Sequence, residues 1–186
     1  MKPIEICTHL GNDKVDSYYG ELSGKEVRAV LKAGGSHSNT PGTAFTQKAR
    51  RKVWRKRFDL EFEKNNEQLA LAFLIEWLMR RHRNMLVEYL DFLGVKHKQG
   101  ETDEDFCETH SPQKLREGAT MLLAKHPHHE VGTYLLLVGH LQETKIYDET
   151  PELLEAVGMP TGETSAYMAA FSENWQGRKE DGNVES

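Results

Sequence analysis

The chain has 186 residues, 38% of them hydrophobic and 28% charged, and a formal net charge of −5. That length is enough to bury a core and favours one main domain. The two cysteines, Cys7 and Cys107, lie far apart, which excludes a disulfide framework and a cysteine-based zinc site. The most apolar run, Leu69 to Met79, is too short to cross a bilayer, and the first residues lack an apolar run of signal-peptide length. We therefore expect a cytoplasmic protein that has no membrane partner.

Charge is distributed unevenly along the chain. Residues 1–98 carry 18 Lys and Arg against 12 Asp and Glu, whereas residues 99–186 carry 6 against 17. An asymmetry of this size indicates either an electrostatic partner or two halves that neutralise each other.

Residues 1–33 are predicted to form an N-terminal arm. The apolar residues of "IEICTHL" and "KVDSYY" alternate, as in strands, and "GND" between them is typical of a turn, so we expect a small β-hairpin. The following "SGKEVRAVLKAGG" predicts a short helix that Ser23 caps and Gly34 ends. Residues 34–46 are rich in Gly, Ser and Thr and predict a linker.

A helical domain is predicted over residues 47–176, followed by a disordered tail at residues 177–186. Residues 65–94 contain no Pro and no Gly before Gly94, and this pattern predicts one long central helix.

Three further helices are predicted to follow, beginning at Ser111 and Pro112, after Pro127, and at Pro151. A last one is predicted within "TSAYMAAFSENW". Because no repeat of solenoid length recurs, we expect a mainly α protein, an irregular bundle of about five to seven helices.

The segment "KARRKVWRKR", residues 48–57, holds seven basic side chains and no acidic one. Arg55 can pair with Asp59 one helical turn away, but most of these cations have no such local partner. "RRHR", residues 80–83, could extend the same basic face. The candidate residues for binding nucleic acid or an acidic partner are Lys48, Arg50, Arg51, Lys52, Trp54, Arg55, Lys56, Arg57, Arg80, Arg81 and Arg83.

The acidic segment "ETDEDF" is interpreted as the start of a helix. Thr102 can cap a short helix, and Asp103, Glu104 and Asp105 would then lie in its first turn, where the helix dipole favours anions. The spacing of glycine and glutamate that an EF-hand loop needs is missing here. The acidic segment therefore predicts capping rather than calcium binding.

Few residues indicate catalysis or metal binding. His126, His128 and His129 are candidate metal ligands, but their spacing matches no zinc or di-iron motif, so surface histidines are the favoured interpretation. Cys107 and His110 are the nearest pair that could form a nucleophile and its base. The sequence has no phosphate-binding loop, dinucleotide motif or nucleophile elbow, so we expect no cofactor.

Two functional hypotheses follow, and an enzyme with an unusual site is a third and weaker one. The favoured hypothesis is a non-enzymatic helical interaction module or subunit of a larger assembly, whose partner is another protein or a second copy of the chain. The alternative is a nucleic-acid-binding protein that uses residues 48–57 and 80–83. An isoelectric point near 6.0 favours the first hypothesis over the second.

Overall fold

A computed structural model of the chain describes residues 1–36 and 46–159. Within these ranges the protein is mainly helical, as predicted, and its β-structure is limited to one isolated antiparallel bridge between Lys98 and Glu101. Nine helices are present in the described chain, more than the five to seven expected. They are α1 (Pro3–Glu21), α2 (Gly24–Ala33), α3 (Gln47–Glu63), α4 (Glu67–Arg81), α5 (Arg83–Leu93), α6 (Phe106–Thr109), α7 (Pro112–Leu123), α8 (His128–Leu141) and α9 (Pro151–Ala156).

The predicted N-terminal hairpin is wrong, because the segment forms α1. The buried residues of its second half, Val15, Tyr18 and Tyr19, follow the spacing of one helix face, and the C-cap residue Leu22 is buried too. Short runs of alternating apolar residues fit both the two-residue period of a strand and the 3.6-residue period of a helix. In this segment the residues at the helical spacing are the buried ones. The predicted turn position is nevertheless marked in the backbone: Gly11 has φ 77° and ψ 164°, and it interrupts the helical dihedrals of α1.

The segment predicted as an arm packs into the same core as the later helices. Ile6 and Leu31, from α1 and α2, are fully buried in that core. The predicted α2 has the expected ends, since the Ser23 hydroxyl accepts a hydrogen bond from the Glu26 amide at 3.3 Å and Gly34 follows the last turn. The first two helices are thus part of the bundle.

The single long helix predicted over residues 65–94 is also wrong, because the chain divides at His82 into α4 and α5. His82 has φ −123° and ψ 22°, outside the α-helical range. Its Nδ1 lies 2.9 Å from Glu130 Oε2 on α8, and its ring centroid lies 4.2 Å from that of Trp77. The Glu130 contact joins His82 to another helix, and no local sequence pattern predicts it.

The central helix is α4, which packs against α1, α2, α3, α5 and α8. The helices α7, α8 and α9 occur where they were predicted, and α8 packs against both α7 and α9. No helix in the described ranges combines the length and apolarity needed to cross a membrane. The predicted helix at residues 164–175, the tail at residues 177–186 and linker residues 37–45 lie outside the described residues.

Candidate functional site

Two arginines of the predicted basic face bind the C-terminal end of α1. The Arg51 guanidinium donates to the carbonyls of Gly20 at 2.8 Å, Leu22 at 3.0 Å and Tyr19 at 3.4 Å. Arg81 donates from Nε to the Glu21 carbonyl at 3.1 Å, and its terminal nitrogen contacts the same oxygen. The last carbonyls of a helix lack intrahelical partners and carry partial negative charge. We call Arg51 and Arg81 the arginine collar of α1.

Most other arginines of the two basic segments also have partners within the fold. Arg55 bonds Asp59 at 2.7 Å, which confirms the predicted pair, and it bonds Asp16 of α1 at 2.5 Å. Arg80 bonds Glu76 at 3.0 Å. Arg83 donates to the Met79 carbonyl and to Gln99 Oε1, at 3.3 and 2.6 Å. Arg50 and Arg57 are half-buried.

Trp54, one of the candidate residues for binding nucleic acid or an acidic partner, lies in the core with 6% of its surface exposed. Its ring is so close to Gly24 that a Cβ atom there would lie 2.9 Å from it. The Arg28 guanidinium covers the ring, 5.5 Å from its centroid. In this position the indole faces protein atoms, so it offers no stacking platform to a nucleic acid.

Three lysines remain exposed on the outer side of α3. Lys48, Lys52 and Lys56 are spaced at four-residue intervals, and none of them forms an ion pair with a described residue. Leu60 continues the series and has 55% of its surface exposed. We call these four residues the lysine row.

The candidate metal ligands do not form a metal site. His126 Nε2 lies 3.3 Å from Glu88 Oε2, His129 Nε2 lies 3.4 Å from Lys14 Nζ, and His128 is exposed. Across residues 1–36 and 46–159, no three His, Cys, Asp or Glu side chains are grouped so that they could hold an ion. The three histidines therefore have separate surroundings.

Cys107 and His110 do not form a nucleophile with its base. Burial raises the pKa of the Cys107 thiol to about 11, so at neutral pH the sulfur is protonated and a poor nucleophile. Its Sγ lies 3.8 Å from Tyr147 Oη in the core. The His110 ring nitrogens contact carbonyls instead of the thiol: Nδ1 lies 2.9 Å from the Phe106 oxygen and Nε2 lies 3.0 Å from the Leu93 oxygen.

A groove that sequence reasoning missed lies between α4, α5, α8 and the loop before α6. Its volume is about 520 Å³. Apolar side chains form its floor: Leu78, Met79, Leu86, Leu90, Phe106, Leu137 and Val138. Ile75 and Leu141 also line it, with 36% and 52% of their surfaces exposed. The floor comes from segments far apart in the chain, so no single stretch of sequence indicates it.

Four exposed carboxylates form one edge of this groove, and we call them the acidic rim. They are Glu101, Asp103, Glu104 and Asp105. None of them forms an ion pair with any residue in the described parts of the chain. The rim is therefore a set of exposed carboxylates beside an apolar surface, without an ion-pair partner in the described chain.

The predicted capping role of the acidic segment is wrong. α6 begins only at Phe106, after all four rim carboxylates, and the N-cap residue Asp105 makes no side-chain capping bond. The Thr102 hydroxyl instead donates to the Lys96 carbonyl at 2.9 Å and accepts from the Glu104 amide at 3.1 Å. Gln142, just beyond α8, donates to the Glu104 carbonyl at 3.2 Å. These bonds hold the acidic loop against the end of α8 and fix the rim beside the groove.

Comparisons with protein-family models, with curated proteins and with solved structures found no significant match.

Proposed function

We propose that this protein is a non-enzymatic docking module whose groove binds a helix of a partner protein. The observation that carries the proposal is the combination of an apolar groove with four unpaired carboxylates along one edge. Apolar grooves of this kind bind the apolar face of an amphipathic helix. The partner helix would place its apolar residues on the groove floor and its basic residues against the acidic rim.

The position of the exposed apolar residues supports this use of the groove. Ile75 and Leu141 are large, exposed and line the same groove, whereas single exposed apolar residues are common and need no explanation. The rim carboxylates would attract a basic helix and fix its orientation, because charges at the edge of an interface act mainly on association rate and specificity. Burial of apolar surface would then supply most of the affinity.

Nucleic-acid binding is the second candidate function, and the lysine row is the observation that favours it. Its three lysines give fewer phosphate contacts than the sequence suggested, since Arg51, Arg55 and Arg81 are engaged within the fold. Three phosphate contacts correspond to a slope of about −3 for log K against log salt on duplex DNA. An oligonucleotide titration at several salt concentrations measures this slope directly.

A designed peptide tests the docking function. The probe is a fluorescently labelled synthetic helix with leucines at positions i, i+3, i+4 and i+7 and lysines beside them, and its counterpart carries glutamates in place of the lysines. We expect the lysine peptide to bind in an anisotropy titration and the glutamate peptide to bind at least tenfold more weakly, roughly the effect of one to two exposed charge pairs and added repulsion. Salt should reduce this preference.

Two leucine variants locate the binding surface. Leu141→Ser should weaken binding of the lysine peptide by about fourfold to tenfold, because burying a whole leucine contributes about 1.5 to 3 kcal/mol and 52% of the Leu141 surface remains to be buried. Leu60→Ser is the matched control, since Leu60 is as exposed as Leu141 but lies outside the groove. Equal affinities of the two variants would contradict the proposal.

A further inference from the structure

Three large apolar side chains are exposed in the described chain, and they lie on two surfaces of opposite charge. Ile75 and Leu141 line the acid-rimmed groove, and Leu60 belongs to the lysine row. Each surface therefore combines an exposed apolar residue with charges that have no ion-pair partner among the residues described. Both surfaces expose apolar side chains, and the charges of the lysine row are opposite in sign to those of the acidic rim.

We propose that the lysine row of one copy of this chain docks into the groove of a second copy. This inference rests on the proposed docking function and names the partner helix as α3. The lysines would face the acidic rim, and Leu60 would cover the exposed parts of Ile75 and Leu141. Such an arrangement removes all three exposed apolar side chains from water and pairs both sets of unpaired charges.

The dimensions of the two charged sets are compatible. Lys48 and Lys56 are eight residues apart on α3, which corresponds to about 12 Å along a helix. Glu101 and Asp105 are four residues apart, so the acidic rim spans at most about 14 Å along the chain. Lysine side chains are long and flexible, so three of them can reach four carboxylates over this distance.

The inner side of α3 is held in place before any partner binds. Arg51 contacts three carbonyls at the end of α1, Arg55 contacts Asp16, and Trp54 is buried beside Gly24. The lysine row is therefore presented on a fixed helix. A fixed helix loses little conformational entropy on docking, which favours association.

The lysine row and the groove are different surfaces of the molecule, so a single contact between them is not self-complementary. Each copy then offers one row and one groove, so the assembly closes by reciprocal docking or as a ring, or else it continues as a chain of copies. This property allows a test by complementation, in which two variants that each fail alone restore the contact when mixed.

The test uses two full-length charge-reversal variants. The row variant carries Lys48→Glu, Lys52→Glu and Lys56→Glu, and the rim variant carries Asp103→Lys, Glu104→Lys and Asp105→Lys. In sedimentation velocity we expect the wild-type chain to form species heavier than the 21.3 kDa monomer that dissociate as salt is raised. Each variant alone should associate at least about tenfold more weakly, since three exposed pairs are replaced by like charges. Mixing the two should restore association, because each glutamate row then meets a lysine rim and each lysine row meets an acidic rim.

The peptide titration separates failure of this inference from failure of the docking function. The row variant should still bind the lysine peptide, because its groove is intact. A monomeric wild-type chain that binds the peptide would overturn self-docking and leave the docking function with a different partner. Peptide binding unaffected by Leu141→Ser, together with a lack of self-association, would overturn both. A monomeric wild type that binds oligonucleotides through the lysine row would overturn self-docking in favour of nucleic acid.

Discussion

The basic segment at residues 48–57 and the acidic segment at residues 101–105 both stand out in the sequence, but they differ in how many of their charged side chains have partners within the fold. In the basic segment, Arg51 and Arg55 bind α1, and the lysines on the outer side form no ion pair with any residue that the structure describes. In the acidic segment, all four carboxylates remain exposed and unpaired within the described chain. The density of charged residues in a sequence therefore does not predict how many of them are available to a partner.

The two kinds of basic side chain explain part of this difference. The planar guanidinium of arginine presents several donors at once: Arg81 places two of its nitrogens on the Glu21 carbonyl, and one terminal nitrogen of Arg51 lies against three carbonyls at the end of α1. Lysine is more strongly hydrated and lies on a flexible chain, which suits it to an exposed position. On α3 the arginines that face α1 bind within the fold, and the lysines between them are exposed and form no ion pair with a described residue.

Removing a collar arginine should have the largest effect on stability. Arg51→Ala leaves three carbonyls near the end of α1 without their charged donor and removes the guanidinium from the Tyr19 ring, which lies 6.0 Å away. We expect a loss of about 2 kcal/mol in the free energy of unfolding, measured in urea, because hydrogen bonds to charged groups contribute about 1.5 to 3 kcal/mol.

The neighbouring Lys52→Ala is the matched control for that measurement. Lys52 is exposed and forms no ion pair with a described residue, so its removal should change the free energy of unfolding by less than about 0.5 kcal/mol. Equal losses for the two variants would show that the arginines and lysines of α3 do not differ in their roles.

A second prediction concerns the pH dependence of stability at His82, an enclosed ionisable group beside the collar. Burial is the main cause that lowers the pKa of His82, and His129, His126 and Arg81 lower it further. Glu21 and the Glu130 carboxylate, 2.9 Å from Nδ1, act in the opposite direction but do not outweigh burial. Below about pH 6.5 the unfolded chain therefore binds more protons than the folded one at this site. The stability present above that pH should be lost as pH falls through the folded-state pKa.

The measurement is urea unfolding at pH values between about 7 and 5 for the wild type and for His82→Gln. The wild type should show the steeper fall in the free energy of unfolding with decreasing pH, with a difference of at most about 1.4 kcal/mol per pH unit for one proton. A steeper fall in the variant would mean that the charged form of His82 is stabilised in the fold, contrary to this prediction.

Reversing the rim charges should have the smallest effect on stability. Asp103→Lys and Glu104→Lys together break no ion pair in the described chain, so we expect the free energy of unfolding to change by less than about 0.5 kcal/mol. Thermal and urea unfolding of this variant, compared with Arg51→Ala, measure the contrast between the two regions. A loss as large as that of Arg51→Ala would show that the rim is structural.

Local signals predicted the helices that are bounded by specific capping residues. Ser23 caps α2, and Ser111 with Pro112 begins α7, because the bonds of these caps involve residues only a few positions away. The prediction failed for α1, whose short alternating runs fit both a strand and a helix. It also failed at His82, where the partner of the side chain is Glu130 on another helix.

The candidate site could be predicted only in part. The sequence indicated basic residues on α3 and the pair between Arg55 and Asp59, which follows from helical spacing alone. It left open whether Trp54 is buried, because the segment has apolar residues on more than one side of the helix. The groove could not be predicted, since its floor combines α4, α5 and α8 with the loop before α6.

The sequence by itself determined that this protein is mainly helical, where several of its helices begin, and that its charge is divided between two segments. Helix periodicity and capping depend on neighbours within about one turn, so they can be predicted from local patterns. Only the tertiary structure decided which charges are engaged and which are exposed. The carbonyls that Arg51 and Arg81 contact at the end of α1 lie 29 to 60 residues away in the chain. The rim carboxylates form no ion pair with any cation of the described chain. Whether a charged side chain is available to a partner depends on packing between distant segments, and local sequence patterns do not predict that packing.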